Sequence, residues 1–160
     1  MEWSLANKSC VNGWTLYQHP LFKDQLTGLK EDVVELKKSD PENYKTHPKT
    51  KLLASIFKAI NERVPNNPDA PEFRQGHTPG KDNSHWRRVK NGIPNRYRLF
   101  FRFSSSPPPP SIVYAWINDD KTLRKAGAKT DCYEVFKNML KRGVVPQSIE
   151  ELIETAKTSK

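Results

Sequence analysis

The chain has 160 residues, a length that suits one domain with its own hydrophobic core. Its formal net charge of +9 at pH 7 favours a polyanionic partner, nucleic acid before membrane, because Lys and Arg contacts to phosphate supply most non-specific affinity. The apolar runs are too short for a transmembrane helix, the N-terminus does not resemble a secretory signal, and neither the two cysteines nor the four histidines have metal-ligand spacing. We therefore expect no membrane span, no cofactor and no metal site, with a reducing cytoplasm as the compartment.

The N-terminal part of the chain predicts one strand followed by two helices. Apolar and polar side chains alternate over residues 11–19, which is typical of a strand. An amphipathic helix begins at Leu21 and is broken by Asp40-Pro41-Glu42, and a second helix runs from about residue 48 to residue 64. Two such helices need a sheet to cover.

A β-hairpin is predicted at residues 86–104, where two short strands flank the turn at residues 91–95. Successive side chains point to opposite faces of a strand, so one face of the second strand carries Arg96, Arg98, Phe100 and Arg102. The other face, with Tyr97, Leu99, Phe101 and Phe103, is apolar and belongs in a core. Arg88 and Lys90 share a face in the first strand. The hairpin thus has a cationic face with few acidic partners, which fits either a solvated surface or a surface that holds phosphate.

The segments around this hairpin are a long loop, a buried strand and helical stretches. Residues 65–85 hold four prolines and predict a loop that is functional or mobile. Residues 104–111 form a polyproline connection, and residues 112–117 read as a buried central strand. A short helical turn is expected at 121–127, followed by a helix that Thr130 or Asp131 caps and Gly143 ends. A weak helical stretch is expected at 148–156, where Ser148 and Glu151 form a capping box at its start. The simplest arrangement is one antiparallel sheet of about four strands with two helices on one face.

A series of motifs runs in order through the chain: NGWxLYxHPxF (12–22), DPENY (40–44), KLLA (51–54), FRxG (73–76), WxRVK (86–90), RYRLFFR (96–102), WxND (116–119), TLR (122–124), KTDxY (129–133) and MLKRG (139–143). In these motifs the chain resembles the YhaV family of bacterial toxins, within the RelE/ParE superfamily. The resemblance divides the chain into an N-terminal extension (1–11), a RelE-like toxin domain (12–143) and a C-terminal tail (144–160).

This resemblance implies an α+β fold of the RelE-like kind: a small twisted antiparallel β-sheet with two N-terminal helices on one face and a C-terminal helix. It implies a toxin of a type II toxin–antitoxin system, an endoribonuclease that cuts mRNA on the ribosome without a metal and so inhibits translation. It also implies a PrlF-type antitoxin as partner, with operator DNA bound only through that antitoxin.

RNA is cleaved without metal when the 2′-hydroxyl attacks the neighbouring phosphorus, and fixed cations stabilise the charge that develops there. By the resemblance, Arg88 and Lys90 stand for a cationic pair on one strand and Arg98 for an arginine on the next. Arg124 or Lys129 stands for the arginine before the last helix, and Tyr133 for its tyrosine.

Other residues are given supporting roles. Tyr133 or Lys90 is the candidate for proton transfer, because His77 and His85 read as exposed loop histidines and His19 as a buried strand end. Asp119 and Asp131 are candidates for holding arginines in place, with a helix cap as the alternative for Asp131. The candidates for contacts with RNA or the ribosome are Arg74, Lys81, Arg96 and Arg102.

Two other functions remain open: a ParE-like toxin that inhibits DNA gyrase on the same fold, and an RNA-binding module without catalysis. The dense cationic face together with Tyr133 favours the ribonuclease.

Overall fold

The computed structural model describes residues 9–75, 85–106 and 108–158. Five strands form one sheet in the order β1-β2-β5-β4-β3. They are β1 (Cys10–Val11), β2 (Trp14–Gln18), β3 (Arg87–Val89), β4 (Leu99–Ser104) and β5 (Ser111–Ile117). The helices are α1 (Pro20–Ser39), α2 (Pro48–Lys58), α3 (Val64–Asn66), α4 (Cys132–Lys141) and α5 (Ile149–Thr158). A π-helical turn at Ala59–Arg63 joins α2 to α3, so residues 48–66 form one nearly continuous helix, as predicted.

The sheet is mixed rather than wholly antiparallel, because β2 pairs parallel with β5 while the other three pairings are antiparallel. Both helices and the hairpin lie between β2 and β5 in the chain, and a connection of that length permits a parallel crossover. The first predicted strand is split in two because Asn12 and Gly13 turn the chain with φ angles of 52° and 83°. This split is why the sheet has five strands instead of about four.

One face of the sheet packs against α1 and α2. Leu99 and Phe101 from β4 and Tyr114 from β5 are buried there with Phe22 and Ile56 from the two helices. The alternation predicted for the hairpin is confirmed on this face, and the predicted helices lie where expected.

The opposite face of the sheet is a second core and not a solvated cationic surface. Phe100 is fully buried there and stacks on Phe136 of α4 with ring centroids 4.4 Å apart. Trp86 and Trp116 pack into the same cluster, so these tryptophans are core residues. Helix α5 lies in the segment assigned to the C-terminal tail, yet Leu152 is buried in this second core. Arg88 of β3 and Arg102 of β4 therefore lie beside an aromatic cluster that α4 and α5 cover.

Two helices begin at side chains that cap their first turns. His19, buried directly after β2, caps α1 by accepting a hydrogen bond from the Leu21 N–H at Nδ1 (3.1 Å), and Ser148 accepts one from the Glu151 N–H at the start of α5.

The helical turn predicted at residues 121–127 is wrong, because this segment forms irregular turns that hydrogen bonds to Asp119 and Asp131 stabilise. No helix in the described part of the chain is long and apolar enough to cross a membrane.

Candidate active site

Two arginines, one in β3 and one directly before β4, converge on one tyrosine hydroxyl. Arg88 donates from Nε to the hydroxyl oxygen of Tyr133 (2.9 Å), and Arg98 donates from Nε to the same oxygen (3.2 Å). Arg88 is opposite Phe100 in the β3–β4 pairing, and Arg98 lies two residues before Phe100, so both side chains point to the face that α4 covers. Tyr133, in the first turn of α4, is held in place by an edge-to-face contact with Phe100 (centroids 5.5 Å apart).

Backbone and amide groups fix the two guanidinium groups. Arg98 donates from Nη1 to the Tyr97 carbonyl (2.8 Å), and its backbone N–H donates to Oδ1 of Asn118 (2.6 Å). Arg88 donates from Nη1 to the Glu72 carbonyl oxygen (2.7 Å). The side chains are thus oriented by neutral oxygens.

No carboxylate of the described residues forms a salt bridge with Arg88 or Arg98. The nearby Glu72 carboxylate pairs instead with Arg63 (2.8 Å). Arg98 is only 8% exposed, and a buried charge without a counter-ion is costly. An arginine in that state is suited to an incoming anion, and a planar guanidinium can bind two phosphate oxygens at once.

A third arginine, Arg124, lies over the Tyr133 ring with its guanidinium carbon 4.8 Å from the centroid. Asp131 holds it through a 2.8 Å ion pair, and this hydrogen-bonded carboxylate raises the pKa of Arg124. The same carboxylate, buried at 4% exposure, accepts the backbone N–H groups of Lys125 (2.6 Å) and Tyr133 (3.1 Å). Asp131 therefore both caps α4 and positions an arginine, the two alternatives that the sequence left open.

An open cavity of about 470 Å³ adjoins Tyr133. Its lining includes Arg124, Lys129 and Glu134, so a polar ligand at Tyr133 has room to extend past these side chains. Cys132, next to Tyr133, is not a candidate nucleophile, because burial and the Asp131 charge raise the pKa of its thiol to about 11.

A family model described as a toxin with endonuclease activity, of a toxin–antitoxin system, matches residues 16–157. The chain belongs to the YhaV toxin family. Toxin YhaV of Escherichia coli O6:H1 is 47% identical over 150 residues, covering 93% of this chain and 96% of that protein. Ribonuclease toxin YhaV of Escherichia coli strain K12 is 48% identical over 143 residues, covering 89% of this chain and 91% of that protein. No solved structure matches. A toxin–antitoxin system also implies an antitoxin as partner.

In this YhaV-family toxin the structure brings together Arg88, Arg98, Arg124 and Tyr133, with Lys129 at the edge of the adjoining cavity. Lys90 follows β3 directly and is exposed, with no hydrogen bond or ion pair to any described residue. Its sequence neighbour Val89 is fully buried on the other face, as the alternation predicts.

The other predicted cations are placed elsewhere. Arg96 lies outside β4 with a φ of 71° and donates from Nε to the Arg124 carbonyl (3.1 Å). Arg102 donates from its guanidinium to the Gln147 carbonyl before α5, and burial lowers its pKa, so its role as an RNA contact stays a prediction. Arg74 pairs with Asp69 (3.4 Å) beyond the edge strand β3. Lys81 lies outside the described residues, as does His77.

Asp119, a candidate for holding an arginine, forms no salt bridge with an arginine among the described residues. It accepts hydrogen bonds from the Lys121 N–H (3.0 Å) and the Thr122 hydroxyl (2.8 Å), because it closes the turn that follows β5. His85 is exposed, as predicted. Among the described ranges, no group of three or more His, Cys, Asp or Glu side chains is arranged to hold a metal.

Sequence reasoning missed Asn118, which is 3% exposed at the end of β5. Its amide oxygen accepts the Arg98 backbone N–H, and its amide nitrogen donates to the Arg96 carbonyl (3.0 Å) and the Thr122 carbonyl (2.9 Å). Two sequence signals pointed to it: Asn118 is a polar residue directly after the buried strand β5, and it belongs to the WxND motif at 116–119.

Proposed function

We propose that this YhaV-family toxin is a metal-independent endoribonuclease that cleaves mRNA through attack of the 2′-hydroxyl on the neighbouring phosphorus. The observation that supports this most is the convergence of Arg88 and Arg98 on the Tyr133 hydroxyl without a carboxylate partner. RNA as the substrate is supported by the relative named ribonuclease toxin YhaV.

The two arginines bind the scissile phosphate. Of the five N–H donors of Arg98, two are used within the described residues, so the remaining ones are available to phosphate oxygens. As the O2′–P bond forms and the P–O5′ bond breaks, negative charge grows on the non-bridging oxygens, where fixed cations stabilise it most.

Tyr133 acts as a hydrogen-bond donor. A tyrosine hydroxyl has one proton and two acceptor lone pairs, and the two Nε–H groups occupy both lone pairs. Its proton is therefore directed away from the arginines, toward the leaving O5′ oxygen, which must be protonated to depart as a hydroxyl. Lys90 is a further proposed cation for the phosphate, because it is exposed directly after β3, and the 2′ proton passes to solvent water. The products are a 2′,3′-cyclic phosphate and a 5′-hydroxyl.

Further contacts extend from this centre. Arg124 and Lys129 bind the RNA backbone beside Tyr133. The contacts with RNA or the ribosome are made by Arg74, Lys81, Arg96 and Arg102. In the cytoplasm the toxin cleaves mRNA on the ribosome and arrests growth, and a PrlF-type antitoxin neutralises it. The complex of the two proteins represses their operon, with the antitoxin contacting operator DNA.

Purified protein and a labelled RNA test the chemistry. Cleavage should persist in EDTA, yield a 2′,3′-cyclic phosphate, and stop when the 2′-hydroxyl at the cleavage site is methylated. Arg98→Ala should abolish cleavage and growth arrest, whereas Arg142→Ala, an exposed arginine at the end of α4, should leave both intact. Cleavage and growth arrest are compared in the same way for Lys90→Ala and for its control Lys141→Ala, an exposed lysine in α4. Loss of cleavage in EDTA would contradict the metal-independent reaction.

Two other functions are distinguished by the same proteins. If the parent leaves mRNA intact while DNA breaks accumulate in the culture, the toxin inhibits gyrase. If the parent binds RNA without cutting it, and Arg98→Ala weakens that binding, the chain is a binding module. The family description as an endonuclease favours cleavage over both.

A further inference from the structure

A second concave surface lies on the opposite face of the sheet from Tyr133, and we name it the acidic groove. It is a cavity of about 380 Å³ between α1, α2 and the turn after β5. Its lining includes the half-buried apolar side chains of Leu29, Leu52 and Tyr97. Four exposed carboxylates also line it: Asp24, Asp32, Asp119 and Asp120.

The charge of the groove is opposite to that of the whole chain, which is +9. Asp24 and Asp120 form no salt bridge with any described cation, and of the four aspartates Asp32 alone pairs with a lysine, Lys49 (3.0 Å). Burial, together with the negative charges of Asp120 and Asp119, raises the pKa of Tyr97. A phosphate backbone is repelled from such a surface, whereas a cationic ligand is attracted.

The wall of the groove contains Gly28, in the middle of α1. Glycine inside a helix costs about 1 kcal/mol relative to alanine. A Cβ atom built at Gly28 would meet no atom within 4 Å, so packing inside the chain does not require glycine here. The missing side chain leaves the groove open.

The groove also contacts the groups that hold Arg98. Tyr97 lines the groove and accepts the Arg98 Nη1–H at its carbonyl oxygen. Asn118 lines it too and accepts the Arg98 backbone N–H. A ligand in the groove therefore touches two residues that position the proposed phosphate-binding arginine, from the face that RNA does not occupy.

We propose that the acidic groove is the docking site for a segment of the antitoxin in which an apolar side chain is flanked by lysine or arginine. The apolar floor accepts the central side chain, and the aspartates of the rim pair with the flanking cations. This inference depends on the toxin–antitoxin pairing of the family and on no step of RNA cleavage.

The charge of the rim is tested by measuring the affinity of the toxin for the antitoxin encoded beside it. The same measurement is made with overlapping synthetic peptides that cover the antitoxin sequence. Asp24→Lys with Asp120→Lys should weaken binding at least tenfold and reduce its dependence on salt. Glu42→Lys with Glu62→Lys makes the same change of charge at exposed positions outside the groove and should change binding less than threefold. The peptide that binds should contain the basic and apolar pattern.

Steric blocking tests the space without changing charge. Gly28→Trp should fill the groove and weaken binding at least tenfold, while Thr27→Trp, exposed and outside the groove, should not. The groove variants should retain growth arrest but resist neutralisation by the antitoxin. Parental affinity in both groove variants would overturn the proposal. The proposal would also be overturned if the toxin alone formed a dimer that Gly28→Trp dissociates, because a second copy of the chain would then occupy the groove. Loss of antitoxin binding in these variants would support docking even if the parent cleaved no RNA.

Discussion

Replacement of Arg98 by methionine is expected to remove activity without lowering stability. Arg98 is 8% exposed, and its side chain makes two hydrogen bonds, to Tyr133 and Tyr97, with no carboxylate. Hydrogen bonds to charged groups contribute about 1.5 to 3 kcal/mol each. Desolvation of a buried ion costs several kcal/mol, so the two terms nearly cancel.

Methionine has a similar length, no charge, and the flexibility to fill the space of the guanidinium stem. It also removes a cation from beside Arg88 and Arg124. Replacing a buried ionic group by an apolar one is often neutral or stabilising by about 1 to 4 kcal/mol. We expect a change between zero and a gain of about 2 kcal/mol, which raises the melting temperature by no more than about 4 to 8 °C in a domain of this size.

The same substitution should lower RNA cleavage by about 10²- to 10³-fold, because loss of one group aimed at developing charge costs about 2.7 to 4 kcal/mol of transition-state stabilisation. Thermal unfolding and single-turnover cleavage of a labelled RNA measure the two effects, with Arg142→Met as the matched control. Arg98→Lys retains the charge but not the planar fork, so it should fall between the parent and Arg98→Met in activity. A fall in melting temperature of several degrees with cleavage retained would show that Arg98 is structural, and would refute the reasoning.

Three further predictions follow from single contacts. Tyr133→Phe should preserve the packing against Phe100 but slow cleavage by about 10²-fold or more, as expected for loss of a general acid, and an unchanged rate would exclude that role. Asp131→Ala should destabilise the fold by about 1 kcal/mol through loss of the α4 cap, and Asp131→Asn should restore that stability but not the Arg124 ion pair; equal melting temperatures for both would contradict the cap. Burial lowers the pKa of His19 below its ordinary 6.5, so the native state disfavours protonation. Stability contributed by neutral His19 is complete above pH 6.5 and is lost as the pH falls through the lower native pKa. Urea midpoints between pH 5 and pH 7.5 should therefore rise with pH in the parent and change less in His19→Asn, which can still cap α1.

Local sequence patterns predicted much of the fold correctly. The two long helices, the hairpin and the buried strand were all expected from periodicity and from the proline and glycine positions. The alternation around Phe100 also placed Arg88 and Arg98 on a common face. These features depend on contacts between residues that are near in sequence, or on one repeated spacing.

Local patterns were less informative for residues whose surroundings come from distant parts of the chain. Arg102 has the same alternation as Arg98, but its guanidinium donates to the Gln147 carbonyl before α5, and no local pattern indicates where that segment packs. Asp119 and Asp131 are both acidic residues beside turns. Only the placement of Arg124 distinguishes the aspartate that pairs with it from the one that closes a turn.

The sequence by itself determined the α+β class, the family, and the set of cations from which a phosphate-binding centre can be built. The tertiary structure alone decided that Tyr133 lies between two of those cations, because that contact requires β3, β4 and α4 to pack together. It also revealed the second aromatic core and the acidic groove. Strand pairing and helix packing bring together side chains 35 and 45 residues apart at one hydroxyl, and periodicity carries no information about contacts at that separation.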